Sequence, residues 1–268
     1  MAPSSGRQTN HHQEEPTLKI ARYLAHGQIS YGVLEGNTVK EITGTPFEDF
    51  KITNHTHTLD QVKLLAPVVP PKILAIGLNY SSHLHDRPAP KEPMVFYKTA
   101  ISVIGPDDTI IRPKGTARLD AECELVVIIK DQCKNVSKAD AMNHVLGYTC
   151  GNDVSARDWQ RNDGNWWRAK SADTFSPAGP VIQTELDPNN VRVKTRINGK
   201  EVQNESTSYL IFDVPTLIAY CSQFVTLEAG DLIYTGTPGA PGEMKDGDVC
   251  EIEIDGIGVL RNPIKLER

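Results

Sequence analysis

Two glutamates stand two residues apart in Leu119–Lys130, LDAECELVVIIK. The apolar, β-branched run from Leu125 to Ile129 predicts a strand with acidic residues at its entrance. Side chains at i and i+2 share a strand face, so Glu122 and Glu124 project together, roughly 6–7 Å apart at Cα, while Cys123 faces the other way. Two like charges entering a buried strand are costly unless a cation lies between them. Carboxylate oxygens suit a hard divalent ion such as Mg²⁺, Mn²⁺ or Ca²⁺. The alternative is a pair on an exposed strand end beside a Lys or Arg. Asp153, in the turn-forming stretch GND, is a candidate third oxygen ligand. Lys170, in WWRAKSADTF, has aromatic and small neighbours rather than a charge run. A lysine near a metal and a carbonyl can stabilise developing negative charge. A surface salt bridge is the competing reading.

Three further stretches carry chemistry. In GLNYSSHLHD, His83 precedes Asp86 by three residues, a spacing that shares one face of a helix. A carboxylate beside an imidazole orients it and raises its basicity, which makes a general base. The alternative is a polar loop before the RPAPKEP turn. Arg157 and Gln160 follow Asp153 at spacings that face one site from a short helix. In GDLIYTGTPG an apolar strand runs into a Thr-Gly-Thr-Pro-Gly turn, whose backbone N–H groups and hydroxyls can meet a carboxylate. It lacks the Gly-Lys-Ser/Thr of a phosphate loop.

These residues need a frame to hold them. Strands are expected at 94–98, 119–129, 180–184, 191–198, 231–235 and 249–260, with hairpin turns at NGK (198–200) and DGIG (255–258). A helix is expected over 138–147, capped by Ser137 and ended by Gly147. A second follows Asp213, with Pro215 in its first turn. Residues 17–70 read as a small β-rich unit with a Gly36-Asn37 hairpin, and 71–268 as the main body. The polar stretch 1–16 reads as a disordered tail. The whole is a β-dominated α+β pattern.

At 268 residues the chain can bury a sizeable core. Its formal charge of −6, without a basic block, argues against nucleic acid as a partner. No stretch is apolar enough to cross a membrane, and no charged-then-apolar segment opens the chain, so a cytoplasmic location is expected. Five scattered cysteines without a Cys-x-x-Cys pair indicate reduced thiols rather than a zinc site.

Taken in order, GLNYxxH, MVFYK, DAECELVVII, GNDVSARDWQ, AKSADTFSPAGP, NGKEVQ, GDLIYTGTPG and DGDVCEIEIDGIGVLRNP resemble the fumarylacetoacetate hydrolase family over about residues 70–264. The resemblance implies a mixed β-roll or β-sandwich with a small N-terminal domain, assembled as a homodimer. It implies a metal triad of Glu122, Glu124 and Asp153 for Mg²⁺ or Mn²⁺, with Ca²⁺ as a substitute. It further implies an active-site lysine at Lys170, a lid histidine at His83, and substrate contacts from Arg157, Gln160, Thr237, Gly236 and Tyr80. Many members read His-x-x-Glu in the lid. Here Asp86 stands at that Glu, which shortens the reach by one methylene, about 1.5 Å. The expected activity is metal-dependent hydrolysis of a C–C bond in an acylpyruvate-type 2-oxo acid through an enolate. Oxaloacetate decarboxylation and hydroxymuconate-type isomerisation or decarboxylation are the alternatives on the same site. A binding protein that kept the metal site without catalysis is the third reading.

Overall fold

The computed structural model describes residues 17–84 and 87–268. The tail 1–16, together with His85 and Asp86, lies outside the described residues. The strand Cys123–Ile129 is buried on both faces. Cys123, Leu125, Val127 and Ile129 point into one apolar cluster with Leu74, Ile233 and Leu217. Val126 and Ile128 point into a second, with Ile73, Leu232, Tyr234 and Ile182. This alternation follows from the two-residue repeat of a strand, and it places Glu122 and Glu124 on the even-numbered face.

Cys123–Ile129 pairs antiparallel with Val145–Asn152 on one side and Leu232–Tyr234 on the other. The sheet grows outward to twelve strands. Beyond Leu232–Tyr234 come Ile73–Gly77, parallel to it, and the edge strand Met94–Lys98. Beyond Val145–Asn152 come Ser176–Gln183 and then Lys19–Ala25, Gln28–Glu35, Thr38–Ile42 and Ile52–Thr58. The N-terminal strands therefore continue the large sheet, with Lys19 opposite Gln183 and Ile20 opposite Ile182. A five-stranded sheet is built from Lys200–Ser206, Arg192–Ile197, Val249–Ile254, Gly258–Leu266 and Ile110–Arg112. Three short strands, Ser155–Ala156, Leu119–Ala121 and Gly242–Met244, form a third sheet. The fold is the β-dominated α+β type expected from the sequence.

Three local outcomes bear on the site. The strand expected over 119–129 is interrupted at Glu122: Leu119–Ala121 belongs to the three-stranded sheet and Cys123–Ile129 to the large one. Glu122 thus sits at the junction of two sheets. The helix after Asp213 forms as expected, over Val214–Phe224, and Asp213 accepts the Thr216 N–H at 3.0 Å. The helix expected over 138–147 does not form. Only a 3₁₀ turn, Ala141–His144, precedes the strand Val145–Asn152. Ser137 accepts the Asp140 N–H as a helix cap would, but it closes a single turn. Gly147 is not a helix stop; a Cβ there would lie 2.5 Å from the Gln183 carbonyl oxygen, so glycine permits close strand pairing.

Candidate active site

Glu122, Glu124 and Asp153 converge as the sequence pattern requires. Each is buried, and each offers an oxygen within 4.8 Å of the others. Asp153 arrives from the turn after Val145–Asn152, with its N–H on the Glu122 carbonyl at 3.0 Å. The Asn152 side chain accepts the Glu122 N–H at 3.0 Å, which fixes the backbone at the sheet junction. Around the triad is a cavity of about 30 Å³, lined also by His83, Arg157, Gln160, Trp166, Lys170 and Thr237.

The cations divide unevenly among the carboxylates. Lys170, on the short helix Trp167–Ser171, places Nζ 2.5 Å from both Glu122 Oε2 and Asp153 Oδ2. Arg157 pairs with Glu122 and with Asp120, the latter at 2.9 Å. Burial alone would raise the Glu122 carboxyl pKa, but Lys170 and Arg157 outweigh it and hold the group below the usual range. The same pairing works in reverse on Lys170. Burial opposes its charge, yet Asp153 and Glu122 keep it above the ordinary lysine value. Glu124 makes no ion pair among the described residues; its Oε2 accepts the Gly236 N–H at 2.7 Å. Burial, then the like charges of Asp153 and Glu122, push its carboxyl well above the usual range. Three converging carboxylates, one without a cationic partner, fit a hard divalent ion.

His83 stands on the short helix Ser81–Leu84, with Nδ1 2.6 Å from the Gly239 carbonyl oxygen. A carbonyl only accepts, so Nδ1 is the donor in this bond. The Gly239 carbonyl thus orients the imidazole; Asp86, the expected partner, lies outside the described residues. Thr237 lines the cavity, whereas Gly236 spends its N–H on Glu124. A side chain at residue 236 is barred, since φ is +104° and a Cβ would meet Asn79 Cβ at 2.8 Å. Arg157 donates to the Gln160 Oε1 at 2.8 Å besides holding its two carboxylates. Tyr80 is not brought to the cavity. It is fully buried, bridges Leu210, and its hydroxyl has no hydrogen-bond partner among the described residues.

Two members of the site escaped sequence reasoning. Lys98 ends the strand Met94–Lys98, is fully buried, and bonds both Asp153 Oδ1 and the Lys170 carbonyl. Burial lowers its pKa, with Asp153 opposing. Its neighbours in MVFYK are aromatic, as those of Lys170 are, but the stretch carries no sign that the lysine turns inward. Trp166 packs edge-on against Phe96, with ring centroids 5.2 Å apart, and Lys170 Nζ lies 5.4 Å over the Phe96 ring. Another group of ligand-type side chains, Asp131, Cys133 and His144, lies beyond the far end of Cys123–Ile129. It is a partly exposed Asp–His pair beside a thiol that burial and Asp131 push up.

Comparison with known proteins places this geometry. The model of the fumarylacetoacetate hydrolase C-terminal domain matches residues 72–265, and an Rv2993c-like N-terminal model matches 18–67. The mitochondrial oxaloacetate tautomerase fahd2 of Xenopus laevis is 43% identical over 225 residues, covering 78% of this chain and 70% of that one. The crystal structure of 5-carboxymethyl-2-hydroxymuconate delta-isomerase from Mycobacterium smegmatis superposes with a TM-score of 0.89 at 40% identity, covering 93% of this chain and all of that one. Maleylpyruvate hydrolase from Sphingobium sp. SYK-6, solved with manganese(II) and pyruvate, superposes at 0.79 with 28% identity over the same shares.

Proposed function

Because the chain belongs to the fumarylacetoacetate hydrolase family, we propose that it is a divalent-metal-dependent enzyme that enolises a small 2-oxo acid of the oxaloacetate type. The observation that carries this reading is His83. Its Nδ1–H is fixed by the Gly239 carbonyl, and the ring borders the cavity that holds Glu122, Glu124 and Asp153. That sets an imidazole, the side chain suited to proton transfer, at the wall of a cation site. The relative named oxaloacetate tautomerase supports the substrate class.

A Mg²⁺ or Mn²⁺ ion held by Glu122, Glu124 and Asp153 would supply positive charge against the substrate's carboxylate and 2-oxo oxygens. In the proposed step His83 Nε2 takes a proton from C3 of the substrate. That proton then goes to the 2-oxo oxygen, which completes a keto–enol conversion without breaking a C–C bond. Lys170 Nζ donates to the oxygen that gains charge. Thr237 receives the substrate carboxylate. Arg157 holds Glu122 in place, and Trp166, packed on Phe96, supplies apolar lining that limits water. Lys98 keeps Asp153 and the Lys170 backbone in register.

Hydrolytic C–C cleavage of an acylpyruvate is the second reading, supported by the relative named maleylpyruvate hydrolase. It would use the same residues, with His83 drawing its proton from water. The test is a panel of oxaloacetate, acetylpyruvate and fumarylpyruvate with Mg²⁺, Mn²⁺ or EDTA. The expected result is a metal-dependent acceleration of the approach of oxaloacetate enol absorbance to its keto–enol equilibrium from either side, with no pyruvate formed. Pyruvate plus CO₂ would make the enzyme a decarboxylase, and pyruvate plus a carboxylic acid a hydrolase. If no compound changes with any metal, the catalytic reading is wrong.

A further inference from the structure

Gln203 lies on the strand Lys200–Ser206 of the five-stranded sheet, yet its side chain ends beside the site. It is 5% exposed. Its Oε1 accepts the Cys123 N–H at 3.2 Å and the Thr195 hydroxyl at 2.7 Å. Its Nε2 donates to the Pro238 carbonyl at 2.6 Å and to Thr237 Oγ1 at 3.0 Å. A glutamine has two acceptor lone pairs and two N–H groups, so all four are used. The orientation of the amide is dictated by the backbone: Cys123 N–H can only donate and the Pro238 carbonyl can only accept.

We infer that Gln203 is a positioning residue that ties the Thr235–Gly239 turn to the strand between Glu122 and Glu124, and so holds the Thr237 hydroxyl at the cavity wall where the substrate carboxylate binds. Gln203 Nε2–H occupies a lone pair on Thr237 Oγ1, so the hydroxyl's own hydrogen must point elsewhere. Thr237 lines the cavity. The hydroxyl is also within hydrogen-bond reach of the Cys123 thiol, so Gln203 acts by fixing its place at the cavity wall, where a 2-oxo acid presents its carboxylate. Glutamate at 203 would repel the Pro238 carbonyl, and asparagine is too short to span both partners. The substrate part of this inference rests on the 2-oxo acid reading above.

The test uses the full chain with Mn²⁺ and pyruvate as the probe. Gln203→Met keeps the size and removes every polar contact. It is expected to weaken pyruvate binding about tenfold, the scale of one lost hydrogen bond to a charged group. In steady-state kinetics KM for a turned-over 2-oxo acid should rise by a similar factor, a larger change than any in kcat. Backbone amides of 235–239 should exchange with deuterium faster than in the wild type. Thr237→Val should give the same loss of pyruvate affinity, and the double variant no more than Thr237→Val alone. Losses that multiply in the double variant would overturn the inference, as would unchanged exchange in the turn. If Gln203→Met does not fold, Gln203→Glu, which keeps the acceptor and removes the donors, is read the same way. If the wild type binds no pyruvate, the 2-oxo acid reading fails, and the exchange rates of the turn alone decide whether Gln203 holds it.

Discussion

Glu124 is the residue whose environment is least balanced. Its raised folded-state pKa makes ionisation unfavourable, so without metal it subtracts stability as pH climbs above the ordinary 4.5. Glu122 acts in the opposite sense: its depressed value gives stability that is present above the ordinary range and lost as pH falls. Glu124→Gln removes the first contribution and leaves the second. In EDTA the melting temperature of this variant should match the wild type below about pH 4 and exceed it increasingly toward pH 8. Added Mn²⁺ should stabilise only the wild type. A difference that stays flat with pH would refute the like-charge account. His83→Ala should lower kcat roughly 10²-fold or more while Mn²⁺ still binds, with partial rescue by added imidazole. The triad was legible in the sequence because a strand's repeat forces Glu122 and Glu124 onto one face. Lys98 was not, because nothing local says that a strand-ending lysine turns inward to Asp153 rather than outward to water.

Secondary structure was legible where local and long-range preferences agree. Asp213 and Pro215 mark the start of Val214–Phe224, and Leu217, Ile218 and Cys221 bury its inner face. Asp213→Ala should cost about 1 kcal/mol through the lost cap. That is roughly 2–4 °C in melting temperature for a chain of this size. Turnover should not change, since the helix cap touches no cavity residue. Between 138 and 147 the two preferences conflict. Ser137 and the Ala-rich stretch favour a helix locally, but Val145–Asn152 is needed between Cys123–Ile129 and Ser176–Gln183, and pairing on both edges wins. The break at Glu122 has the same origin, since two sheets compete for one run of chain. At the opposite wall, Gly236→Ala should impair stability and turnover together. The substitution strains φ, crowds Asn79 and shifts the N–H that Glu124 accepts. A variant with full activity would show that the turn tolerates rearrangement.

At the scale of the whole molecule, the sequence suggested a boundary near Pro70, and one sheet takes strands from both sides of it. Lys19–Ala25 pairs with Ser176–Gln183, and Ile20, Val33 and Ile42 share an apolar cluster with Val126 and Ile128. Those last two residues lie on the same strand face as Glu124. Burial of that cluster therefore links the N-terminal strands to the floor of the site. The expected consequence is a single calorimetric transition, with van't Hoff and calorimetric enthalpies equal. Removing residues 17–67 should leave an unpaired edge at Ile182–Gln183 and an uncovered apolar face, giving aggregated protein. Mn²⁺ at one hundred times its dissociation constant should stabilise the whole transition by about 2.7 kcal/mol. The slowest-exchanging amides of Lys19–Ala25 should gain protection along with those of Cys123–Ile129, because both open only with global unfolding. Two transitions, with the metal moving only one, would mean that the N-terminal strands fold apart from the site and that their pairing contributes little to holding it.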